Sequence, residues 1–260
     1  MNRTLNFFNR NLKEVARDPL IYLFCIAFPI VMLAIFQIIN KYTDGNTPMF
    51  NLTALLPAII MFSYTFVMLT MALIISKDRQ TFFLKRLYAS PMKSYEFILG
   101  YSLVGLCTGL VQTIICMLIG LIIALISKVE YISFVEGLLL VACEMPILIT
   151  SIFFGILFGT VFNDKTAPGI CSIFISLAGV LGGCWMPIES MGGFETFARC
   201  LPFYPTVYLG RVITGATNVF NLTYTFDDVA KLGLIPILLF TLASVALAVV
   251  LFKHNMTSDN

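Results

Sequence analysis

The sequence predicts an all-α membrane protein with six transmembrane helices, and three observations predict it. Of 260 residues, 59% are hydrophobic and only 12% charged, about half the charge of an ordinary soluble domain. The apolar residues gather into six runs that each match the roughly 20 residues needed to cross a hydrocarbon core of about 30 Å. Lys and Arg, finally, fall mostly on alternate connections between those runs.

The runs span residues 20–39, 52–76, 97–127, 134–162, 167–187 and 232–252. The third and fourth exceed the minimum length, so each is tilted or continues as helix beyond the hydrocarbon. Residues 20–252 then form one six-span membrane domain, preceded by an amphipathic helix over 1–19 and followed by a tail, 253–260. No repeat at a fixed period appears, nor an inverted likeness between halves. Eleven basic residues (Arg3, Arg10, Lys13, Arg17, Lys77, Arg79, Lys85, Arg86, Lys93, Lys165, Lys253) share one side, against five (Lys41, Lys128, Arg199, Arg211, Lys231) on the other. That asymmetry predicts a multi-pass protein of the cell membrane with both termini in the cytoplasm. A net charge of +2 argues against a nucleic-acid partner.

Met1 to Asp18 carries four basic and two acidic residues before the apolar run begins, which is unlike a cleavable signal, so the first helix is expected to be retained. Leu5, Phe8, Leu12 and Val15 stand at helical spacing opposite the basic residues, predicting an interfacial amphipathic helix. Seven cysteines occur singly, without metal-ligand spacing, and read mainly as small apolar residues. Cys184 and Cys200 alone are placed to meet on one outer surface, and are expected to remain unpaired. The pairs Gly105 and Gly109, Gly155 and Gly159, and Gly179 and Gly183 read as local helix contacts in preference to a dimer seam.

Two segments outside the runs are too apolar for simple connectors. After the second run, Thr81, Phe82, Phe83, Leu84, Lys85, Arg86 and Leu87 mix bulky apolar residues with charge. Ser90 and Pro91 then suit the start of a new helix. The apolar residues either lie on the headgroups or dock against a cytoplasmic protein. On the outer side, Gly182 to Pro187, including Trp185 and Met186, precede Leu201, Pro202 and Arg211. Prolines 187, 202 and 205 interrupt this stretch, predicting short helices that dip into the outer leaflet. Arg211 either pairs with Glu189 or Glu195 or faces outer water. Within the runs, Gln112 and Glu144 are the candidate substrate-path residues. Glu144 either lines such a path or senses a proton, or else it is held protonated or hydrogen-bonded between helices.

These segments, in this order, resemble the membrane subunits of type-2 (ABC-2) ATP-binding-cassette exporters, bacterial antibiotic and drug exporters in particular. The likeness rests on the stretch Thr81 to Pro91 with Leu99 and Gly100 beyond it, and on Gly182 to Pro187, Leu201, Pro202 and Arg211. The chain departs from the family pattern at Gln80 and Asp78, where a Gly and an upstream Glu are usual. The resemblance implies that the stretch Thr81 to Pro91 forms a cytoplasmic coupling helix seated on a nucleotide-binding subunit, with Thr81 to Leu87 as the coupling residues. It further implies that Trp185, Met186, Pro187, Leu201, Pro202 and Arg211 belong to extracellular re-entrant helices that close the exit. Two ATPase subunits and a second membrane subunit, identical or not, are the implied partners.

No GxxxxGK[ST] stretch occurs, so ATP and Mg are expected in the partner ATPase and no cofactor in this chain. The only histidine is His254 and every Asp lies outside the six runs, so the residues of a membrane-embedded hydrolase are missing. With the family resemblance, the expected function is a non-catalytic permease that exports an amphipathic drug, antibiotic or antimicrobial peptide. An ion-coupled carrier or channel is the alternative.

Overall fold

A computed structural model of the chain describes residues 2–43, 47–80, 93–129 and 131–258. Helix follows helix, because a chain passing through hydrocarbon must pair its backbone N–H and C=O groups internally. In order these are α1 (Asn2–Val15), α2 (Tyr22–Tyr42), α3 (Leu52–Gln80), α4 (Ser94–Ser127), α5 (Phe134–Val161), α6 (Ala167–Leu181), α7 (Gly193–Arg199), α8 (Phe203–Ile213) and α9 (Asp228–Ser258). No β-strand occurs among the described residues, although Thr217 and Thr223 form an isolated antiparallel bridge.

Five of these helices, α2 to α5 and α9, are long and apolar enough to cross a membrane. The remaining expected span, 167–187, is shorter than predicted. Its helix α6 has 15 residues, or about 22 Å at 1.5 Å per residue, and stops at Leu181. Gly183 there takes φ of +65°, a left-handed conformation that glycine adopts without steric cost and that ends a helix. The observed set is compatible with six spans, the sixth being a short one. Past Gly183 the chain makes the short helices α7 and α8, and α8 is buried against α3, α5 and α9.

The axis of the assembly is α3. Its most apolar window is 94% buried, whereas those of α2 and α9 are 17% buried. Hence α2 and α9 present their apolar surface to lipid while α3 is enclosed by α4, α5, α6 and α8. The approach of α5 to α3 is closest at Gly155 and Gly159, where a Cβ atom would lie 2.5 Å from the Met68 carbonyl oxygen and 2.7 Å from that of Ala72. Backbone cannot yield as a flexible side chain can, so only glycine permits this separation. Further back along the same stripe of α5, Ile152 and Leu148 fill the space over Gly105 and Gly109 of α4. The predicted glycine pairs thus serve contacts within the chain, Gly179 lying against Trp185.

The N-terminal arm leads into α2 through a π-helical stretch, Tyr22–Ala27. Phe28 then packs on Phe66 of α3, ring centroids 4.9 Å apart. The start of α5 is capped by the Glu136 carboxylate, which accepts from the Ser133 backbone N–H at 2.7 Å, satisfying a donor that helix geometry leaves free. Gly159→Leu is expected to force α5 away from α3 and to cost about 1–3 kcal/mol or more. The check is a lower thermal-unfolding midpoint of the purified protein in detergent.

Candidate functional site

Three polar clusters lie along α3, at its two ends and near its middle. The first joins α1 to the end of α3. Helix α1 packs on α4, with the Phe7 ring edge-on to Phe97 at 5.4 Å and to Tyr101 at 4.9 Å. Its buried face is rotated from the predicted one. Phe7 and Asn11 are buried with Val15, while Leu5 is 55% exposed. The cause is a charge that must be matched. Asp78, 2% exposed, receives both arms of the Arg10 guanidinium at 2.8 and 2.9 Å. Tyr101 donates to the same carboxylate at 2.7 Å. Such a bidentate, charge-assisted pair fixes orientation as well as distance. Glu14 extends the cluster, 3.0 Å from Arg10 and 3.0 Å from Lys77.

Arg79, next in the chain, donates to the carbonyls of Gly159 (3.3 Å) and Thr160 at the end of α5. These are carbonyls that a helix C-terminus leaves without partners. Three elements, α1, α3 and α5, are therefore tied together at the last turn of α3. The predicted coupling residues Thr81, Phe82, Phe83, Leu84, Lys85, Arg86 and Leu87 follow directly, and with Ser90 and Pro91 they lie outside the described residues. Helix α4 begins at Ser94, after the Lys93 N–H donates to Glu96 at 2.8 Å.

The second cluster, at the opposite end of α3, centres on Arg211 of α8. It is 1% exposed, so it does not face outer water. Its Nη2 donates to the Gly183 carbonyl at 2.9 Å, its Nε to that of Ala54 at 3.2 Å, and its Nη1 to the Tyr224 hydroxyl at 3.3 Å. Glu189, and not Glu195, is its carboxylate partner, at 3.5 Å. Tyr224 also donates to Glu189, while Glu195 pairs with Arg199. Burial pushes the Tyr224 phenol up, against the downward pull of Arg211, and keeps it a neutral donor. Nearby, Pro57 has no N–H and so leaves the Thr53 carbonyl without its helical donor. The Thr214 hydroxyl takes that place at 2.7 Å.

Around this cluster the other predicted gate residues fall into two groups. Trp185 packs into the helices, edge-on to Phe62 at 4.6 Å and stacked on Phe36 at 5.9 Å. Met186 and Pro187 follow it in the half-buried turn before Ile188. Leu201 packs against the main apolar core, and the buried Pro202 offers its carbonyl to Thr206 at 2.7 Å. Cys184 is buried and Cys200 exposed, and both are free.

The third cluster lies between α3, α4 and α5. Gly105 faces Ile152 and Gly109 faces Leu148, so four residues forward along α4 match four backward along α5, bringing Thr113 level with Glu144. The Tyr64 and Thr113 hydroxyls are 2.7 Å apart. Gln112 Nε2 donates to the Ser63 carbonyl at 3.1 Å. Glu144 is fully buried, and neither of its carboxyl oxygens nor Gln112 Oε1 has a hydrogen-bond partner among the described residues.

Gln112, Glu144 and Arg211 were therefore visible as polar residues in apolar surroundings. Arg10, Asp78, Tyr101, Thr214 and Tyr224 were missed as parts of these clusters. Asp78 carried one signal, its place as a departure from the family pattern, whereas a threonine and a tyrosine in an outer segment carried none.

A family profile described as "ABC-2 type transporter" matches residues 4–214. No match is found among curated proteins.

Asp78→Asn, which keeps shape and removes charge, is expected to loosen α1 by about 1–3 kcal/mol, read as faster amide hydrogen exchange in residues 2–15. Arg211→Met should cost about 3–5 kcal/mol, because Glu189 loses its cation and the Ala54 and Gly183 carbonyls each lose a donor. Its readouts are a lower unfolding midpoint and faster proteolysis near Gly183.

Proposed function

Because the chain belongs to the ABC-2 type transporter family, a family of multi-pass transport components, we propose that it is the permease subunit of an ATP-driven exporter. Its cargo is an amphipathic drug, antibiotic or antimicrobial peptide, and its motor is a separate cytoplasmic ATPase that binds ATP and Mg. Two ATPase copies and a second membrane subunit complete the transporter. Both termini lie in the cytoplasm, consistent with the excess of Lys and Arg on that side.

The observation that carries this reading is the set of ties at the last turn of α3. Residues 81–87 follow a turn in which Arg10 clasps Asp78 and Arg79 holds the end of α5. Force applied to that loop would reach α1, α3 and α5 together, as alternating access requires. Nucleotide supplies the bias, since a ligand shifts a conformational equilibrium only by binding its two states unequally. At the far end, Arg211 gathers Ala54, Gly183 and Tyr224, which supports a role for that segment in closing the exit.

Isolation of the tagged protein from its native membranes, with mass spectrometry and an ATPase assay, tests the reading. A P-loop ATPase is expected to co-purify and to be lost from Phe83→Asp or Leu87→Asp. Substrate transport by the protein without any ATPase would overturn it in favour of an ion-coupled carrier.

A further inference from the structure

Between α1, the first turns of α2, and α4 runs a furrow of about 160 Å³. Its walls are largely apolar, with Leu12, Val15 and Cys25 on one side and Thr108 and Gln112 on the other. Tyr22 and Val111, about half exposed, border it, so it opens onto the lipid-facing surface at the side of the molecule that carries α1. Gln112 is 1% exposed, its amide N–H₂ is engaged by Ser63, and its Oε1 is unpartnered. Behind it, at the level of Thr113, lies Glu144, with both oxygens unpartnered.

All three unpartnered atoms in this layer are acceptors. A buried acceptor without a donor costs free energy, and a carboxylate costs more than an amide. Tyr64 of α3, Cys116 of α4, Cys143 of α5 and Cys184 of the turn after α6 lie within electrostatic reach of Glu144, and none of these is a cation. Arg211, which also acts on Cys184, is engaged by Ala54, Gly183, Tyr224 and Glu189. An ammonium group carries one positive charge and three N–H donors; the charge would hold Glu144 ionised, and the donors match the number of these acceptors. A bare metal ion would match the charge but would leave the apolar furrow without an occupant, whereas an alkyl chain fills it.

We infer that the furrow and the layer behind it bind a primary-amine amphiphile drawn from the adjoining leaflet. The alkyl chain lies in the furrow, and the ammonium head is passed by Gln112 to Glu144 when α4 and α5 separate. This names the substrate class of the exporter, and it rests on the exporter reading for the onward movement of the bound molecule.

Radiolabelled dodecylamine binding to the purified transporter in detergent tests it, with dodecyltrimethylammonium, which has the same charge and no N–H donor, as competitor. Saturable binding is expected, competed about tenfold or more weakly by the trimethyl compound than by unlabelled dodecylamine. Glu144→Gln and Gln112→Met should each weaken dodecylamine about tenfold or more, in protein that still elutes as a single sharp peak. Equal competition by the two amphiphiles, or unchanged affinity in both variants, overturns the inference even where the ATPase co-purifies. Absence of the ATPase from the wild-type preparation, with amine binding intact, would count against the exporter reading alone.

Discussion

Hydrocarbon offers no hydrogen-bond partner, so a polar group that enters it is costly unless it finds one within the chain. That constraint organises the surroundings of α3. At one end Asp78 is matched by Arg10 and Tyr101, and at the other the carbonyls of Thr53 and Ala54 are matched by Thr214 and Arg211. The two anchor points are about 36 Å apart along the helix. Both arginines come from elements other than the long spans, one from the N-terminal arm and one from a short buried helix. Held in this way, α3 is a rod anchored at both ends.

Glycine makes the rod part of a larger body. Where Gly155 and Gly159 sit on the backbone of α3, α5 follows α3 closely, and Arg79 ties the end of α5 to the same turn that Arg10 clasps. Earlier along the same stripe α5 meets α4 through side chains, Ile152 and Leu148 over glycines. The layer that holds Gln112 and Glu144 lies along this α4 and α5 seam.

Much of the fold was legible in the chain. Five of the six predicted runs appear as long helices, because apolar length alone decides whether a segment can cross. The run 167–187 was overextended, since Gly182 to Met186 are apolar enough to continue a span while Gly183 turns the backbone out of it. The arm was correctly predicted to be a helix, yet its buried face was not. Periodicity ranks side chains by hydrophobicity and has no means of weighing a buried Asp78 against Leu5. Arg211 was identified with its setting left open between pairing with Glu189, pairing with Glu195 and facing outer water. Tyr224 decided it, by donating to Glu189 from a loop in which a tyrosine carries no distinguishing pattern.

What the sequence by itself determined was the membrane, the number and order of apolar runs, and the polar residues inside the runs. Each follows from composition, length or a motif, which are local properties. Tertiary structure alone decided which of those polar residues are satisfied. Asp78 and Arg211 have full sets of partners drawn from up to 157 residues away, whereas Gln112 Oε1 and Glu144 have none among the described residues. A hydrogen bond depends on where two distant segments meet, and that meeting is set by helix packing around α3.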